Sequence, residues 1–288
     1  MKIGPISDEA FDLPEEIIEK YKIGVARFKI DLQELKNLPG NIYQKTREAE
    51  RRGIESVVKT SQPSINDFLS IFKEKLNEFE EVFCVTISSK LSGTYNAAVQ
   101  AKKFLQKEFQ DKVHVIDSLN GSAGQGLVVL KIIELAKRNL NSQEINNKIK
   151  ESIEKTKLLG MYHDPKWLKA SGRFPRFVPA IMERAERMSI KPVFKMENGK
   201  LSVAGVKRNI IDLSSALFEE FDRATKKARG EGKKNIVGIT HADDISQATK
   251  LKEMILSLKN TEVAFINLTC FPIGGHIGPN SLILSWQE

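Results

Sequence analysis

Short apolar runs alternate with amphipathic stretches through the first half of the chain. Apolar runs that predict buried strands occur at 2–6, 54–58, 81–88 and 112–117. Apolar residues at helical spacing predict helices after Ser64 and at 94–109, 122–140 and 141–157. Ser64 with Asp67, and Asn141 with Glu144, are typical of helix starts. The order strand–helix–strand–helix predicts a parallel sheet with helices on its faces.

The second half of the chain has a different order of elements. Residues 190–207 predict a hairpin that turns at Glu197, Asn198 and Gly199. The elements predicted after it are a helix at 211–228, a strand at 235–240, a helix at 246–258, and strands at 263–268 and 282–286. This pattern indicates an α+β unit with antiparallel character.

The helical pattern is interrupted near Gly160 and again at Asp164 and Pro165. We therefore predict two domains, at 1–160 and 161–288. The expected fold class is α/β, with an N-terminal parallel-sheet α/β domain and a C-terminal α+β domain that has a mixed or antiparallel sheet.

Composition narrows the function classes. The 288 residues are 41% hydrophobic and 28% charged, which is the balance of a globular protein with a real core. Cys84 and Cys270 are too few for a disulfide scaffold, and the Cys and His spacing predicts no zinc site. We expect no cofactor. No apolar run approaches the ~18 residues of a membrane span, and the N-terminus lacks a signal-peptide pattern, so we expect a cytoplasmic protein without stable membrane insertion.

The net charge of +8 comes from 45 Lys and Arg against 37 Asp and Glu. These charges are spread along the chain, without a dense basic block or an aromatic stacking platform. A Lys- and Glu-rich solvated surface accounts for the charge better than a nucleic-acid partner, and we expect no nucleic-acid binding.

Polar residues collect where the predicted strands end. The strand ends are Ser7-Asp8, Thr60-Ser61, Ser88-Ser89 followed by Ser92-Gly93-Thr94, and Asp117-Ser118. The carboxyl ends of parallel strands meet at one sheet edge, and each of these turns precedes a helix whose N-terminus favours an anion. Each hydroxyl alone could be a helix cap, but Ser64 already supplies a cap, which leaves Thr60 and Ser61 surplus.

A glycine-flanked histidine stands out in the second half, in Gly274-Gly275-His276-Ile277-Gly278-Pro279. Glycines let a ligand or another chain segment approach closely. The competing interpretation is a turn histidine at a strand entrance.

These motifs together resemble the DegV family of fatty-acid-binding proteins across nearly the whole chain. The resemblance is carried by Asp8 with Asp12-Leu13-Pro14, by 60–64, by 88–98, by 115–118 and by 275–279. It implies two domains with a long-chain fatty acid of 14 to 18 carbons, such as palmitate, between them. It also implies that this protein is a carrier rather than an enzyme.

The resemblance also assigns roles to residues. Thr60 and Ser92 are expected to hold the carboxylate, with His276 close by, and the acyl chain is expected to enter the second domain. The expected ligand-binding set is Thr60, Ser61, Ser92, Gly93, Asn96, Gly275 and His276. Arg173 corresponds to a loop arginine suited to contact with a partner or a phosphate. In some bacteria such proteins present the fatty acid to a fatty-acid kinase, which makes a kinase or another lipid-metabolism protein the expected partner.

The chain departs from the family pattern at three places. Glu9 follows Asp8 where the family has Ser, and the histidine motif lacks both of its usual Thr hydroxyls. The basic Gly-Gly-Arg loop of the second domain is reduced to Lys169-Ala170-Ser171-Gly172-Arg173. Candidate tunnel residues, each equally compatible with ordinary core, are Met161, Trp167, Leu168, Phe174, Phe177, Ile181 and Met182.

Parts of the sequence are also compatible with two enzyme functions. Ser92, His276 and Asp117 could form a serine-hydrolase triad, although the G-x-S-x-G elbow is absent. A small-molecule kinase is the second alternative, because the fold resembles a dihydroxyacetone-kinase substrate domain, although the chain has no phosphate-binding G-x-x-x-x-G-K-[ST] loop.

Overall fold

The computed structural model describes residues 2–31, 35–53, 59–138, 140–164, 167, 172, 190–210 and 212–288. The predicted strand at 54–58 lies outside these residues. So do Arg173 and five of the tunnel candidates, Leu168, Phe174, Phe177, Ile181 and Met182.

The strands are β1 (Ile3–Asp8), β2 (Gly24–Ala26), β3 (Lys29–Asp31), β4 (Lys59–Ser61), β5 (Glu81–Thr86), β6 (Val113–Asp117), β7 (Lys157–Met161), β8 (Ile190–Glu197), β9 (Lys200–Arg208), β10 (Asn235–His241), β11 (Thr261–Leu268) and β12 (Leu282–Gln287). The α-helices are α1 (Glu15–Lys20), α2 (Ile42–Arg51), α3 (Ile65–Leu76), α4 (Thr94–Lys103), α5 (Lys107–Gln110), α6 (Ser122–Ala136), α7 (Ser142–Lys155), α8 (Leu213–Gly230), α9 (Ile245–Leu256) and α10 (Phe271–Ile277). A short 3-10 helix spans Glu9–Phe11.

The first sheet has four parallel strands in the order β2-β1-β5-β6, which confirms the predicted parallel sheet. Successive side chains of β5 point to opposite faces, as the two-residue period of a strand requires. Cys84 packs with Phe68 and Phe72 of α3 on one face, whereas Phe83 packs with Leu127 of α6 on the other. Both faces of the sheet are therefore covered by helices.

The second sheet is mixed and has six strands in the order β11-β10-β12-β7-β8-β9. β10 and β11 are parallel, and the other neighbours are antiparallel, which confirms the predicted sheet type. The hairpin predicted at 190–207 is formed by β8 and β9. β7 belongs to this sheet and spans the predicted division at residue 160, so the domain boundary itself stays a prediction.

α6 lies between the two sheets and is buried around most of its circumference. Leu127 contacts the core of the first sheet, and a Cβ atom placed on Gly126 would lie 3.0 Å from the Phe265 ring of β11. A helix that is apolar all round is typically buried between other elements. The apolar stripe predicted for this segment therefore reflects two packing surfaces rather than one.

The structure corrects three sequence-based expectations. Thr60 and Ser61 lie in β4, which pairs antiparallel with β3 and is outside the parallel sheet. The helix predicted at 94–109 ends at Lys103, where the Gln110 side chain donates to the carbonyls of Lys103 and Leu105 and satisfies part of the helix end. His276 lies in α10, a helix, rather than in a turn.

α2, which the hydrophobic pattern did not predict, belongs to the first half of the chain and contacts the second half. Its Tyr43 hydroxyl donates to the Thr269 carbonyl at 2.6 Å, and Arg47 pairs with Asp243. Asn41 caps the helix and also donates to Asp243. This helix therefore ties the segment before β4 to the second sheet.

Gly160 of β7 provides a stability prediction. A Cβ atom on Gly160 would lie 2.2 Å from Cζ of Phe194, which is its direct partner on β8. We expect Gly160→Ala to lower the free energy of unfolding by about 1–3 kcal/mol, because the ring must move within a packed core. Urea unfolding measures the loss. Gly205→Ala is the matched control, since β9 leaves open space at that position, and it should change stability by less than about 0.5 kcal/mol. Equal effects of the two variants would contradict the packing argument.

Candidate functional site

A cavity of about 430 Å³ lies between the carboxyl-end edge of the first sheet and the inner face of the second sheet. Its volume is in the range of small-molecule binding sites. One part of the wall is polar and is formed by Thr60, Ser61, Gln62, Ser92, Ser122 and His276. The opposite part is apolar. The cavity is therefore amphipathic, and α10 contributes to both parts of the wall, with His276 in the polar part and Ile273 and Ile277 in the apolar part.

The apolar wall comes from the second sheet and from α10. Leu158 of β7, Phe194 of β8 and Ile283 of β12 project from the same face of the sheet and pack with Ile277. The remaining apolar residues of this wall are Met196, Leu201 and Ile273, which pack against that cluster. Leu158, Phe194, Met196, Leu201 and Ile283 thus come from strands of the second sheet, whereas Ile273 and Ile277 come from α10.

Ser92 is positioned by the turn between β5 and α4. The backbone N–H groups of Leu91 and Ser92 donate to the Ser88 carbonyl at 3.0 and 3.1 Å. The Ser92 hydroxyl accepts the N–H of Thr94 at 3.3 Å and lies 2.8 Å from the Thr94 hydroxyl. Gly93 is the N-cap of α4 and supplies no side-chain cap. The N-cap position of α4 therefore carries no capping side chain, and the Ser92 hydroxyl satisfies only the Thr94 N–H.

A second helix start at the cavity also lacks a side-chain cap. Gly121 is the N-cap of α6, and both Gly121 and Ser122 line the cavity. The N-cap side chains of α2, α3, α7, α8 and α9 accept a backbone N–H, whereas α1, α5 and α10 also start without a side-chain cap. Free N–H groups and the positive end of the helix dipole favour an anion. The polar end of the cavity is thus suited to a negatively charged group.

Two buried carboxylates lie next to this polar end. Asp12 accepts the Ser122 hydroxyl at 2.6 Å and the Cys270 N–H at 2.8 Å. Asp8 accepts the N–H groups of Ile87 and Ala10 at 2.7 and 3.0 Å. Burial raises the pKa of Asp12 to about 7 and that of Asp8 to about 6, and the hydrogen bonds only partly offset this effect.

Five of the seven predicted ligand-binding residues line the cavity, namely Thr60, Ser61, Ser92, Gly93 and His276. Asn96 is exposed on α4, and Gly275 is buried beside the Phe271 ring; neither lines the cavity. The ligand contacts of this set stay a prediction.

The turn carboxylate of the hydrolase alternative has a structural role. Asp117 accepts the N–H groups of Ser89 and Leu119 at 3.2 and 2.9 Å. These bonds are typical of a carboxylate that stabilises a turn.

The tunnel candidate Met161 points to the other face of β7, into the core with Leu217, and the second candidate, Trp167, packs against Gly278.

Several lining residues were missed by sequence reasoning. They are Phe28, Gln62, Ile87, Leu91, Gly121, Ser122, Leu158, Phe194, Met196, Leu201, Pro272, Ile273, Ile277 and Ile283. The alternation of Phe194 and Met196 in the predicted hairpin was a usable signal, because both residues share one face of a strand. Ser122 had no comparable signal, since it read as the start of an ordinary helix.

Within the part of the chain that the structure describes, no cluster of three His, Cys, Asp or Glu side chains is arranged to bind a metal ion. None of the described helices combines the length and the apolar character that a membrane crossing requires.

Comparison with known proteins relates the whole chain to one family. A family model described as "Uncharacterised protein, DegV family" matches residues 2–288. A DegV domain-containing protein of Clostridium perfringens is 30% identical over 296 residues, which cover 100% of this chain and 99% of that protein.

Solved structures agree with this match. A fatty-acid-binding DegV family protein of Thermus thermophilus aligns with a TM-score of 0.85 at 24% identity and covers 100% of both chains. A Thermotoga maritima protein whose structure is reported to reveal a fatty acid binding function aligns with a TM-score of 0.77 at 26% identity, covering 100% of this chain and 99% of that one. The two-sheet architecture described above is the fold of these proteins.

The buried carboxylates predict how stability depends on pH. Asp8 and Asp12 bind protons more tightly in the folded protein than in the unfolded chain, where the ordinary value is 3.8. Between about pH 4 and pH 7 the folded state therefore holds more protons, and these two groups make the free energy of unfolding fall as pH rises. We expect this fall to be smaller in Asp12→Asn, as measured by urea unfolding at a series of pH values. The exposed control Asp111→Asn should retain the full fall, and an unchanged fall in Asp12→Asn would contradict the assignment to Asp12.

Proposed function

The chain belongs to the DegV family, and from this premise we propose that it binds a long-chain fatty acid in the cavity between its two sheets. The carboxylate lies at the hydroxyls of Thr60 and Ser92, and the acyl chain lies along the apolar wall. The observation that carries the proposal is the amphipathic cavity, whose hydroxyl-lined end and apolar end match the two parts of such a ligand.

The polar end can hold a carboxylate without a salt bridge. Among the described residues that line the cavity there is no Lys or Arg. A buried carboxylate must be hydrogen-bonded or take up a proton. The hydroxyls of Thr60 and Ser92 and the N–H groups that follow Thr94 in the first turn of α4 are the donors proposed to hold it, and His276 lines the same cavity. Such a site holds its ligand less strongly than an ion pair would, which suits a carrier that releases it.

The apolar end supplies most of the affinity. A 16-carbon acid has fourteen methylenes, and at ~0.8 kcal/mol each their burial gives roughly 11 kcal/mol as an upper bound. The loss of translational and chain freedom on binding lowers this value substantially. Tight binding therefore depends on contact of the whole acyl chain with Leu158, Phe194 and their neighbours, whereas the polar end of the cavity sets the orientation of the fatty acid.

The role that follows is that of a carrier rather than an enzyme. The resemblance implies transfer of the fatty acid to a fatty-acid kinase or another protein of lipid metabolism, and Arg173 is the residue proposed to contact that partner. The turn role of Asp117 supports a carrier over a hydrolase, because that carboxylate is engaged by backbone N–H groups.

Mass spectrometry of the purified protein tests the ligand class directly, once under native conditions and once after organic extraction. We expect a co-purifying acid of 14 to 18 carbons at close to one per chain. A protein that is empty and also fails to take up added palmitate would overturn the proposal.

Removal of the two hydroxyls tests the polar end. We expect Thr60→Val combined with Ser92→Ala to weaken palmitate binding by at least about tenfold, because each lost hydrogen bond to a charged group is worth about 1.5–3 kcal/mol. Isothermal titration calorimetry measures the change. Ser202→Ala, on β9 and away from the cavity, should bind as the wild type does. Wild-type affinity in the double variant would refute the assignment of the carboxylate site.

A polar group on the apolar wall tests the acyl site. Leu201 lines the cavity, whereas Val203 on the same strand is 42% exposed. We expect Leu201→Gln to weaken palmitate binding by about tenfold or more, because an amide buried without a partner costs about 1–3 kcal/mol. Val203→Gln, which faces solvent, should leave the affinity unchanged. If the two variants bind equally well, the acyl chain does not lie along this wall.

A further inference from the structure

A buried cluster at the junction of the two sheets includes a residue of the cavity wall. Ser122 lines the cavity, and its hydroxyl lies 2.6 Å from both Oδ2 of Asp12 and the hydroxyl of Thr240. Oδ1 of Asp12 accepts the Cys270 N–H at 2.8 Å. Asp12, Ser122 and Thr240 are all at least 97% buried. The two oxygens of Asp12 thus have separate partners, and of these partners only Ser122, which is bonded to Oδ2, lines the cavity.

The protonation of Asp12 decides the direction of these hydrogen bonds. An ionised carboxylate can only accept, so the Ser122 hydroxyl must give its single hydrogen to Oδ2. Thr240 then donates to Ser122, and Ser122 has no hydrogen left for a ligand. When Oδ2 carries a proton, Asp12 donates to Ser122 instead, and the hydrogen of Ser122 becomes free to turn towards the cavity.

We propose that Asp12 and Ser122 make carboxylate binding proton-linked: a fatty-acid anion enters the cavity together with a proton that binds to Oδ2 of Asp12, and Ser122 then donates to the ligand. This inference rests on the proposed function and adds a binding residue, Ser122, and a positioning residue, Asp12, to its site. No covalent bond forms or breaks apart from the O–H bond made at Asp12 with a proton from solvent.

Electrostatics favours the coupled proton. An anionic ligand beside a buried carboxylate disfavours the charged form of that carboxylate and raises its pKa further. The pKa of Asp12 is already about 7 because of burial, so titration falls in the physiological range. Binding then takes up a proton, and affinity falls as pH rises above about 7, by at most about tenfold per pH unit for one proton.

Other titratable groups also face Asp12. They are Glu9 of the 3-10 helix, Tyr43 of α2 and the Cys270 thiol at the start of α10. Asp8 on β1 interacts with Glu9, and His276 lines the same cavity as Ser122. Burial raises the pKa of Tyr43 and of Cys270 well above their ordinary values, so both stay neutral in this range. Asp8, Glu9 and His276 are therefore the groups from which Asp12 must be distinguished.

The test is calorimetric titration of the full chain with myristate between about pH 6.5 and pH 8.5, in phosphate and in Tris. These buffers differ in ionisation enthalpy, so the difference in heat gives the number of protons bound with the ligand. We expect uptake that approaches one proton per myristate above pH 7, and a matching loss of affinity. Tetradecanol, which has the same chain and no charge, should bind without proton uptake.

Asp12→Asn identifies the group that takes the proton. The amide oxygen can keep the Cys270 N–H, while the amide nitrogen donates permanently to Ser122, as protonated Asp12 would. Asn also tolerates the left-handed backbone at this position, where φ is 51°. We expect this variant to bind myristate with little pH dependence and almost no proton uptake, whereas Asp8→Asn, the matched buried control, retains the uptake of the wild type.

Ser122→Ala provides a second readout that does not depend on Asp12→Asn folding. We expect it to lose about tenfold in myristate affinity and to take up fewer protons per myristate above pH 7 than the wild type, because the hydrogen bond to the ligand that forms only with protonated Asp12 is gone. Wild-type protein that binds myristate without proton uptake would overturn this inference and leave the proposed function standing. Full uptake in Asp12→Asn would also overturn it, whereas failure of the wild type to bind either ligand would overturn both.

Discussion

The buried carboxylate of Asp12 holds together the parts of the molecule that enclose the cavity. It accepts the Ser122 hydroxyl at the start of α6 and the Cys270 N–H at the start of α10, while the Asp12 carbonyl accepts the Asn267 side chain at 3.0 Å. α6 and the consecutive elements β11 and α10, all distant in sequence from Asp12, are therefore fixed relative to the segment that follows the 3-10 helix. Because a buried charge is stable only when its hydrogen bonds are satisfied, these elements cannot shift independently.

The cavity follows from this junction and from a few contacts around it. The Ser88 hydroxyl donates to the Gly199 carbonyl at 2.7 Å, which joins the first sheet to the tip of the β8–β9 hairpin. Tyr43 joins α2 to Thr269 on the other side. The residues that the second sheet contributes to the cavity wall are all apolar, whereas the hydroxyls of Thr60 and Ser92 come from the first half of the chain. This separation is what a ligand with one charged end and a long apolar chain requires.

Sequence reasoning predicted much of the fold because local patterns and local structure agree in most elements. The capping box of Ser64 and Asp67 forms as expected, and the apolar runs at 81–88 and 112–117 become β5 and β6. The errors fall where tertiary packing decides the outcome. α2 has few apolar residues in sequence and forms against Thr269 and Asp243, and β4 pairs with β3 rather than with a strand of the parallel sheet.

Hydrophobic periodicity predicts the two sheet types, and the resemblance of short motifs to the DegV family points to five residues of the cavity wall, because both signals are local properties of the chain. That Leu158, Phe194 and Leu201 form the apolar wall follows from the folded chain alone, since the face that a strand presents depends on its neighbours. Folding also brings Asp12 to Ser122 across 110 residues of chain. A pKa set by burial is a property of the folded environment, which no local pattern in the sequence encodes.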